Sequence, residues 1–391
     1  MACPEGNMDM NYDSTYGYDA DMGASTSLES IGFSEETGAL AAARLADYAA
    51  RAPARARGAF QAGRVVLEQR ERYAVRAASG EYEAEITGNL RYSARGREDF
   101  PAVGDWVILT PVDEGFAVIH EVLPRHSVLK RRASDTDGEA QIIAANIDCA
   151  LIVQSADRDF NLNRLERYLS ICADAGIQSI VVITKTDLCG EEALTDLLAR
   201  ARARVGSPPV CALSNKSLLG LDSLKSRILP GRTYCLLGSS GVGKSTLLNN
   251  LCGRDLMKTG ETSESTSKGR HTTSHRELLV MPGGGILIDN PGMREVGVTD
   301  GDSGMDLAFP AIAELSRSCR FSDCTHTCEK GCAVLDALRR GALDDGLYRN
   351  FLKMERERRH FEATAEERHK RSREFGKMLK TFDRDRKAGK F

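Results

Sequence analysis

The clearest chemistry in the sequence lies in a glycine-rich loop between a short apolar run and a helical pattern. Tyr234–Leu237 leads into Gly238-Ser-Ser-Gly-Val-Gly-Lys-Ser-Thr246, and leucines at helical spacing follow. This spacing is typical of a phosphate-binding loop (P-loop), whose glycines let backbone N–H groups wrap closely around a polyphosphate. In such a loop Lys244 pairs with the β- and γ-phosphates, and Ser245 holds Mg²⁺. The expected nucleotide contacts are Gly238, Ser239, Ser240, Gly241, Val242, Gly243, Lys244, Ser245 and Thr246.

A second segment indicates which base is read. The apolar run 177–183 ends in T-K-T-D at 184–187, which resembles the guanine-reading N-K-x-D motif. The carboxylate of Asp187 can accept from guanine N1–H and the exocyclic amine, and adenine offers no such pair of donors. Thr184 replaces the usual Asn, and its hydroxyl keeps one hydrogen bond but not the amide's second. The expected base-reading residues are Thr184, Lys185, Thr186, Asp187, Ser214 and Asn215.

Two segments after the P-loop resemble the switches of GTPases. In Gly269-Arg-His-Thr-Thr273, Thr273 would cap Mg²⁺ and the γ-phosphate, as in switch I. Asp289-Asn-Pro-Gly292 resembles the D-x-P-G of switch II, and a plain β-turn is the alternative. Asp289 would reach the metal directly or through water, and the N–H of Gly292 would meet the γ-phosphate.

The order of these motifs is unusual, because T-K-T-D precedes the P-loop. In ordinary GTPases the P-loop comes first, so the order predicts a circularly permuted domain, in which the same sheet is joined differently. In parallel sheets the ligand lies beyond the carboxyl ends of the strands, where all four motifs fall. The alternative is an ATP-driven P-loop protein, in which Asp187 would not set base preference.

A cluster of cysteines and a histidine follows residue 301. Cys319-x₄-Cys324-x-His326-x₅-Cys332 supplies four soft ligands, sufficient for one closed tetrahedral Zn²⁺ site. Cys328 is a fifth candidate, and scattered buried cysteines or a redox pair are the other interpretations. A closed site would be structural and would hold a small helical subdomain that is too short for its own core.

Other elements must position these motifs. Five short strands between residues 59 and 124, separated by glycines, predict a small closed barrel such as an OB-fold. Arg91, Arg95 and Arg97 fall on one loop, and Lys130-Arg-Arg132 follows the barrel, which is typical of a nucleic-acid surface or of a solvated basic loop. From Gln141 strands alternate with helices, which predicts an α/β domain with a parallel sheet.

The chain ends differ in charge. Residues 1–43 contain no Lys or Arg, and 1 to about 35 lack periodicity, which predicts a disordered acidic tail. The basic run 368–380 lies in a predicted amphipathic helix. Its side chains either bind RNA phosphates or face solvent. No apolar run approaches the ~18 residues of a membrane helix. The start MACPEGNMDMNYD is not typical of a signal peptide, so we expect a cytoplasmic protein whose eleven cysteines are reduced, metal-bound or buried.

As a set, the motifs resemble the ribosome small-subunit-dependent GTPase A family of circularly permuted GTPases. The resemblance covers roughly 60–350 and rests on Val103–Val107, Ala144–Asp148, Phe160–Tyr168, Gly241–Ser245, Gly269–Thr273 and the Cys/His cluster. It implies an OB-fold domain at 59–126, a permuted GTPase domain at 127–300, and a zinc-binding helical subdomain with a basic C-terminal helix at 301–391. Residues 1–58 lie outside the resemblance and would be the acidic tail and a linker, with a marginal helix as the alternative for 39–58.

The resemblance also implies a function and a partner. These are GTP hydrolysis stimulated by the 30S ribosomal subunit and coupled to release, in late maturation of that subunit near its decoding region. Contact with 16S rRNA and a monomeric state are expected. The implied cofactors are GTP or GDP, Mg²⁺, and one Zn²⁺ held by Cys319, Cys324, His326 and Cys332, without Cys328.

The family lacks a catalytic Gln after D-x-P-G, and here that place holds Met293. An apolar side chain cannot orient water, so intrinsic hydrolysis should be slow. His271 is a candidate for positioning water, and contact with RNA or solvent is the alternative for it. A different class of function is an RNA-binding assembly or translation factor in which nucleotide is only a structural ligand. A permuted GTPase for the large subunit is disfavoured by the barrel and the zinc cluster.

Overall fold

The computed structural model describes residues 27–51, 60–69, 72–94, 96–132, 140–253, 276–289 and 303–359. The strands are β1 Gln61–Gln69, β2 Arg72–Ala77, β3 Gly80–Ile86, β4 Trp106–Asp113, β5 Phe116–Val122, β6 Val128–Arg132, β7 Ala140–Ala145, β8 Cys149–Ser155, β9 Gln178–Thr184, β10 Val210–Ala212, β11 Thr233–Leu237, β12 Arg276–Val280 and β13 Ile286–Asp289. The helices are α1 Glu35–Arg51, α2 Gly88–Ser93, α3 Leu162–Asp174, α4 Glu191–Val205, α5 Leu221–Lys225, α6 Lys244–Cys252, α7 Ser303–Ala308, α8 Pro310–Ser316, α9 Ala333–Arg339 and α10 at 345–359.

Strands β1 to β5 form a closed barrel. They follow the order β1-β2-β3-β5-β4, and β4 pairs back with β1. The β3–β5 pairing is parallel, and the other pairings are antiparallel. Alternate residues of each strand point inward, so Val65, Val75, Ala84, Leu109 and Ile119 fill the interior. The predicted small OB-like barrel is therefore confirmed.

Strands β8 to β13 form a sheet in the order β10-β9-β8-β11-β13-β12, and β6 and β7 form a separate two-stranded sheet. All neighbours are parallel except β12, which runs antiparallel to β13. Every residue of β8 and β11 is buried, as expected of strands covered by helices on both faces. Ser155 lies opposite Thr184 in the β8–β9 register, so the carboxyl ends of these strands lie side by side.

The two sheets are continuous, because β12 also pairs with β1 of the barrel. A buried arginine strengthens this junction. Arg64 of β1 donates to Thr233 Oγ1 at 2.9 Å, to Gly104 O at 3.2 Å and to Asn146 O at 3.3 Å, and it also contacts Ile31 O. Burial lowers the pKa of its guanidinium to about 10, which leaves it charged at neutral pH. Neither the β12–β1 pairing nor this cluster was predicted from the sequence.

The structure differs from the predicted disordered tail at 28–35, and over 39–51 it has a helix, which was one of the two interpretations of 39–58. Helix α1 packs on the barrel, where the ring centroids of Tyr48 and Phe60 are 5.1 Å apart and Arg44 contacts Glu121. Ile31 is fully buried in a hydrophobic cluster that it shares with Ala41 of α1 and Trp106 of the barrel. Apolar side chains at helical spacing give the segment a face to bury, and this outweighs its polar composition. Residues 1–26 and 52–59 lie outside the described part of the chain.

Helices α8 to α10 pack against α3 and α4 rather than forming a separate core. Phe309, Val334 and Met354 belong to the same buried cluster as Leu165 and Val205. Among the described helices, none combines the length and apolar character needed to cross a bilayer.

Two carboxylates of α3 link this helix to its neighbours. The fully buried Glu166 accepts from Arg204 Nε at 2.6 Å and from Asn350 Nδ2 at 2.5 Å. About two turns further along α3, Asp174 Oδ1 accepts from the backbone N–H of Gly304 in α7 at 2.7 Å. The division into domains at 58, 126 and 300 stays a prediction.

Candidate functional site

The glycine-rich loop joins β11 to α6 at the carboxyl edge of the parallel sheet. Gly238 has a φ of 151°, and a β-carbon there would lie 2.3 Å from Val153 O on the neighbouring strand. Gly243 has a φ of 90° and precedes the first residue of α6. Only glycine meets both demands, a left-handed backbone and close approach of another chain. The loop is therefore built to present its backbone N–H groups, which suits an anionic ligand.

Lys244 is the first residue of α6, and its side chain folds back over the loop. Its Nζ donates to the carbonyl oxygens of Gly238 at 2.7 Å and Ser239 at 2.5 Å. This places a cation against the concave side of the loop, at the positive end of the helix dipole. Ser245 follows with an exposed side chain, and Thr246 is half-buried.

The T-K-T-D segment lies beside this loop, as its sequence position predicted. Thr184 is fully buried, and its Oγ1 lies 2.6 Å from Val242 O of the P-loop. Asp187 is exposed, and its Oδ1 accepts from Ser214 Oγ at 2.5 Å. A carboxylate has about four acceptor positions, so this bond aims Asp187 and leaves capacity for two donors of a base.

Ser214 anchors the second base-side loop. Its Oγ accepts from the backbone N–H groups of Lys216 at 3.2 Å and Ser217 at 3.1 Å while it donates to Asp187. Asn215 Nδ2 reaches the P-loop and donates to Gly243 O at 3.0 Å. The structure thus brings three loops, far apart in the sequence, within hydrogen-bonding distance of one another.

A further residue of this site was missed by the sequence reasoning. Asp157, just after β8, forms an ion pair with Lys185, with 3.0 Å between Oδ2 and Nζ. Burial raises the pKa of the Asp157 carboxyl, but hydrogen bonds from Ser155 and Lys185 outweigh it, and the pKa falls below its ordinary value. The pair holds the stem of Lys185, whose backbone φ is 57°. The only signal in the sequence was the position of Asp157 at a strand end.

Asp289 is the last residue of β13 and is half-buried at the same edge of the sheet. The backbone of β13 is fixed on one side by β11 and on the other by β12. The other switch candidates, His271, Thr273 and Gly292, lie outside the described residues, as does the basic run 368–380.

The cysteine and histidine cluster is compact. The ligand atoms of Cys319, Cys324, His326 and Cys332 all lie within 4.8 Å of one another. Tetrahedral zinc with Zn–S bonds of about 2.3 Å separates its sulfurs by about 3.8 Å, and the Sγ atoms of Cys319 and Cys332 are 3.9 Å apart. The donor set and its spacing therefore fit one zinc ion. Cys328 is exposed and is not one of the four.

Neighbouring groups orient the histidine of this cluster. Its Nδ1 lies 3.5 Å from Cys332 Sγ, and its Nε2 lies 3.0 Å from Ser316 Oγ. Tyr348 of α10 donates to the backbone carbonyl of His326 at 2.7 Å. A hydrogen bond on the far ring nitrogen fixes the imidazole for metal binding through the other.

Comparisons with known proteins agree with this geometry. A family model described as RsgA GTPase matches residues 122–299. The protein "Small ribosomal subunit biogenesis GTPase RsgA 2" of Lactiplantibacillus plantarum is 43% identical over 296 residues, which are 75% of this chain and 82% of that protein. The chain belongs to the RsgA GTPase family. It is therefore a GTP hydrolase that binds guanine nucleotide, and the alternative of an ATP-hydrolysing protein is wrong.

Solved structures support the permuted architecture of this RsgA-family GTPase. YjeQ from Thermotoga maritima is 25% identical with a TM-score of 0.59, and the match covers 76% of this chain and 98% of that one. YloQ, described as a circularly permuted GTPase, is 26% identical with a TM-score of 0.56, over 77% of this chain and 96% of that one. The predicted permuted GTPase fold is thus confirmed.

Proposed function

We propose that this GTPase binds the small (30S) ribosomal subunit and acts late in its maturation, with hydrolysis stimulated by the subunit and coupled to release. The observation that carries the proposal is the identity of 43% to a protein named for biogenesis of that subunit, over three quarters of this chain. The protein would work as a monomer in the cytoplasm, where the subunit matures.

The sheet offers a route for this coupling. Strand β13 ends at Asp289, and β12 pairs with β13 on one side and with β1 of the barrel on the other. A change of backbone at Asp289 on loss of the γ-phosphate would therefore reach the barrel through two strand pairings. Coupling of this kind needs a contiguous, rigid connection, and a continuous sheet supplies one.

The barrel and α10 are the surfaces that we propose for 16S rRNA. Helix α2 exposes Tyr92 almost fully, at 91%, beside the exposed Arg91, and Arg97 lies just beyond. An exposed aromatic ring flanked by cations suits stacking on an unpaired base, with phosphate contacts alongside. Lys353 and Arg356 of α10 are exposed as well.

In the nucleotide site we assign Lys244 to the β- and γ-phosphates and Ser245 and Asp289 to Mg²⁺. Thr184 to Asp187, with Ser214 and Asn215, would hold the guanine. Bound Mg²⁺ would neutralise charge on the phosphates as the γ-phosphate leaves. Support comes from the meeting of these loops at one sheet edge.

The remaining proposed roles fall on the switches and the metal cluster. Thr273 and Gly292 would contact the γ-phosphate and His271 would position water, with Met293 unable to do so. Cys319, Cys324, His326 and Cys332 would hold one structural Zn²⁺ that fixes α8 and α9 beside α10.

The test measures GTP hydrolysis with and without purified 30S subunits, with 50S subunits and ATP as controls. We expect a large rise that is specific to 30S and GTP. Lys244→Ala should abolish it, whereas Lys225→Ala, at an exposed lysine of α5, should not. Equal rates with and without 30S would overturn the proposed function.

Base choice is tested separately. Asp187→Ala should remove the preference for GTP over ATP, because the carboxylate that pairs with guanine is lost. A retained preference would show that another group reads the base. If Lys244→Ala protein still supported subunit maturation in cells, nucleotide would be only a structural ligand.

A further inference from the structure

The two P-loop carbonyl groups just before Lys244 are each held by a side chain from a different base-side loop. Thr184 Oγ1 donates to Val242 O at 2.6 Å, and Asn215 Nδ2 donates to Gly243 O at 3.0 Å. These carbonyls immediately precede Lys244, so their positions set the start of α6 and the direction of its first N–H groups. Both contacts therefore act on the phosphate-binding part of the site from its base-binding part.

The number of available protons explains why two residues are needed. A threonine hydroxyl carries one proton, whereas an asparagine amide carries two. Thr184 Oγ1 has a second acceptor, Gln154 O, at the longer distance of 3.2 Å, so its one proton belongs to Val242 O. Thr184 thus has nothing left to donate to Gly243 O, although a β-carbon on Gly243 would lie only 3.8 Å from its Oγ1.

We propose that Asn215 supplies the second P-loop tether and is a positioning residue for guanine nucleotide binding. The Asn of an N-K-x-D motif can donate two hydrogen bonds from a single loop. Here Thr184 donates one of them and Asn215 donates the other, from two different loops. The proposal rests on the nucleotide site assigned above, where Asn215 belongs to the guanine side, and gives Asn215 a second role that acts through the P-loop backbone. It also explains how T-K-x-D serves here without the amide.

The orientation of the Asn215 amide is itself fixed. Asn250 of α6 donates through Nδ2 to the backbone O of Asn215 at 3.1 Å and to its Oδ1 at 3.4 Å. Oδ1 is thereby kept toward Asn250, and Nδ2 is kept toward Gly243. Hydrogen bonds therefore run from Asn250 through Asn215 to Gly243. They connect the second turn of α6 to the residue that precedes this helix. Networks of this kind lose more when one member is removed than a single exposed bond would.

The experiment is a double-mutant cycle on the affinity for a fluorescent GDP analogue. Titrations compare wild type, Asn215→Ala, Thr184→Asn and the double variant. In the wild-type background Asn215→Ala should weaken binding about five- to tenfold, the usual weight of one well-placed hydrogen bond. In the Thr184→Asn background it should cost about twofold or less, because the new amide can donate to both carbonyls.

Controls separate positioning from folding. Asn89→Ala, at an exposed asparagine of the barrel, should leave GDP affinity unchanged. Thermal melting of the nucleotide-free proteins should not change with Asn215→Ala by more than a few degrees. Asn215→Asp keeps the shape and the contacts from Asn250 but removes the donor, so it should bind GDP no better than Asn215→Ala.

Each outcome has a distinct meaning. If Asn215→Ala binds GDP like wild type, or loses equally in both backgrounds, the inference fails while the GTPase site stands. If wild type itself fails to bind the analogue, the nucleotide site assignment fails instead. Rescue by Thr184→Asn is the result that a merely structural role of Asn215 would not produce.

Discussion

Burial of the Asp174 carboxylate destabilises the folded protein at neutral pH. Its replacement by a neutral side chain should therefore make the protein more stable. Its Oδ1 accepts from the N–H of Gly304 at 2.7 Å, but its Oδ2 is buried with no hydrogen-bond partner among the residues that the structure describes. Burial raises the pKa of Asp174 from 3.8 to about 6, against the opposing hydrogen bond from Gly304 and the charge of Arg358. The change Asp174→Asn keeps the acceptor for Gly304 and removes the charge.

The magnitude follows from the pKa. The rise to about 6 corresponds to at most about 3 kcal/mol at 1.36 kcal/mol per pH unit. Because the side chain is half-buried, solvent screening reduces this to about 1.5 kcal/mol. A carboxyl whose folded-state pKa is raised contributes stability that is fully present below its unfolded pKa. That stability is lost as the pH rises through about 6.

The assay is urea unfolding of wild type and Asp174→Asn between pH 4 and 8, in the full chain. Asp174→Asn should exceed wild type by about 1.5 kcal/mol at pH 7.5, and the difference should shrink toward pH 4. Asp222→Asn, at an exposed aspartate of α5, is the matched control and should show no such trend. An Asp174→Asn protein that is less stable than wild type at pH 7.5, or a difference in stability that is the same at every pH, would show that burial of the Asp174 charge does not destabilise the fold.

Three further predictions concern the metal cluster, the junction and the P-loop. Cys332→Ser should lower bound zinc, measured by elemental analysis, from about one ion per chain toward none, whereas Cys328→Ser should retain it. Equal zinc in the two variants would show that Cys332 is not a zinc ligand. Arg64→Met should reduce the free energy of unfolding in urea by about 3 kcal/mol or more, because it leaves buried acceptors unpaired; a loss below about 1 kcal/mol would contradict this. Gly238→Ala should weaken binding of fluorescent GDP at least about tenfold, because its β-carbon would lie 2.3 Å from Val153 O; unchanged affinity would mean that the loop does not hold phosphate.

Local patterns in the sequence predicted most of the elements that carry the site. The alternating strands of the barrel, the largely apolar β8 and β9, and the glycine-rich turn before α6 can each be recognised from a few neighbouring residues. The convergence of T-K-T-D with the P-loop followed from the rule that ligands lie at the carboxyl ends of parallel strands. These predictions needed no knowledge of which distant residues meet.

The features that escaped prediction depend on contacts between residues far apart in the chain. Arg64 and Thr233 are 169 positions apart, and their hydrogen bond is unreadable from either neighbourhood. The same holds for the pairing of Asp157 with Lys185 and for the packing of α1, whose composition resembles a linker. Propensity and periodicity report on one segment, whereas these contacts report on how segments are assembled.

The permuted order has a mechanical consequence for the GTPase. Strand β13, which ends at Asp289, lies between β11, which carries the P-loop, and β12, which continues into the barrel. On the other side of 290–302, the chain enters α7, where Gly304 is held by Asp174 of α3. The segment that carries the switch II motif we propose therefore follows a strand tied to the barrel and precedes a helix tied to α3. Since α3 also binds Asn350 of α10 through Glu166, both RNA-facing surfaces that we propose connect to the same short stretch of chain.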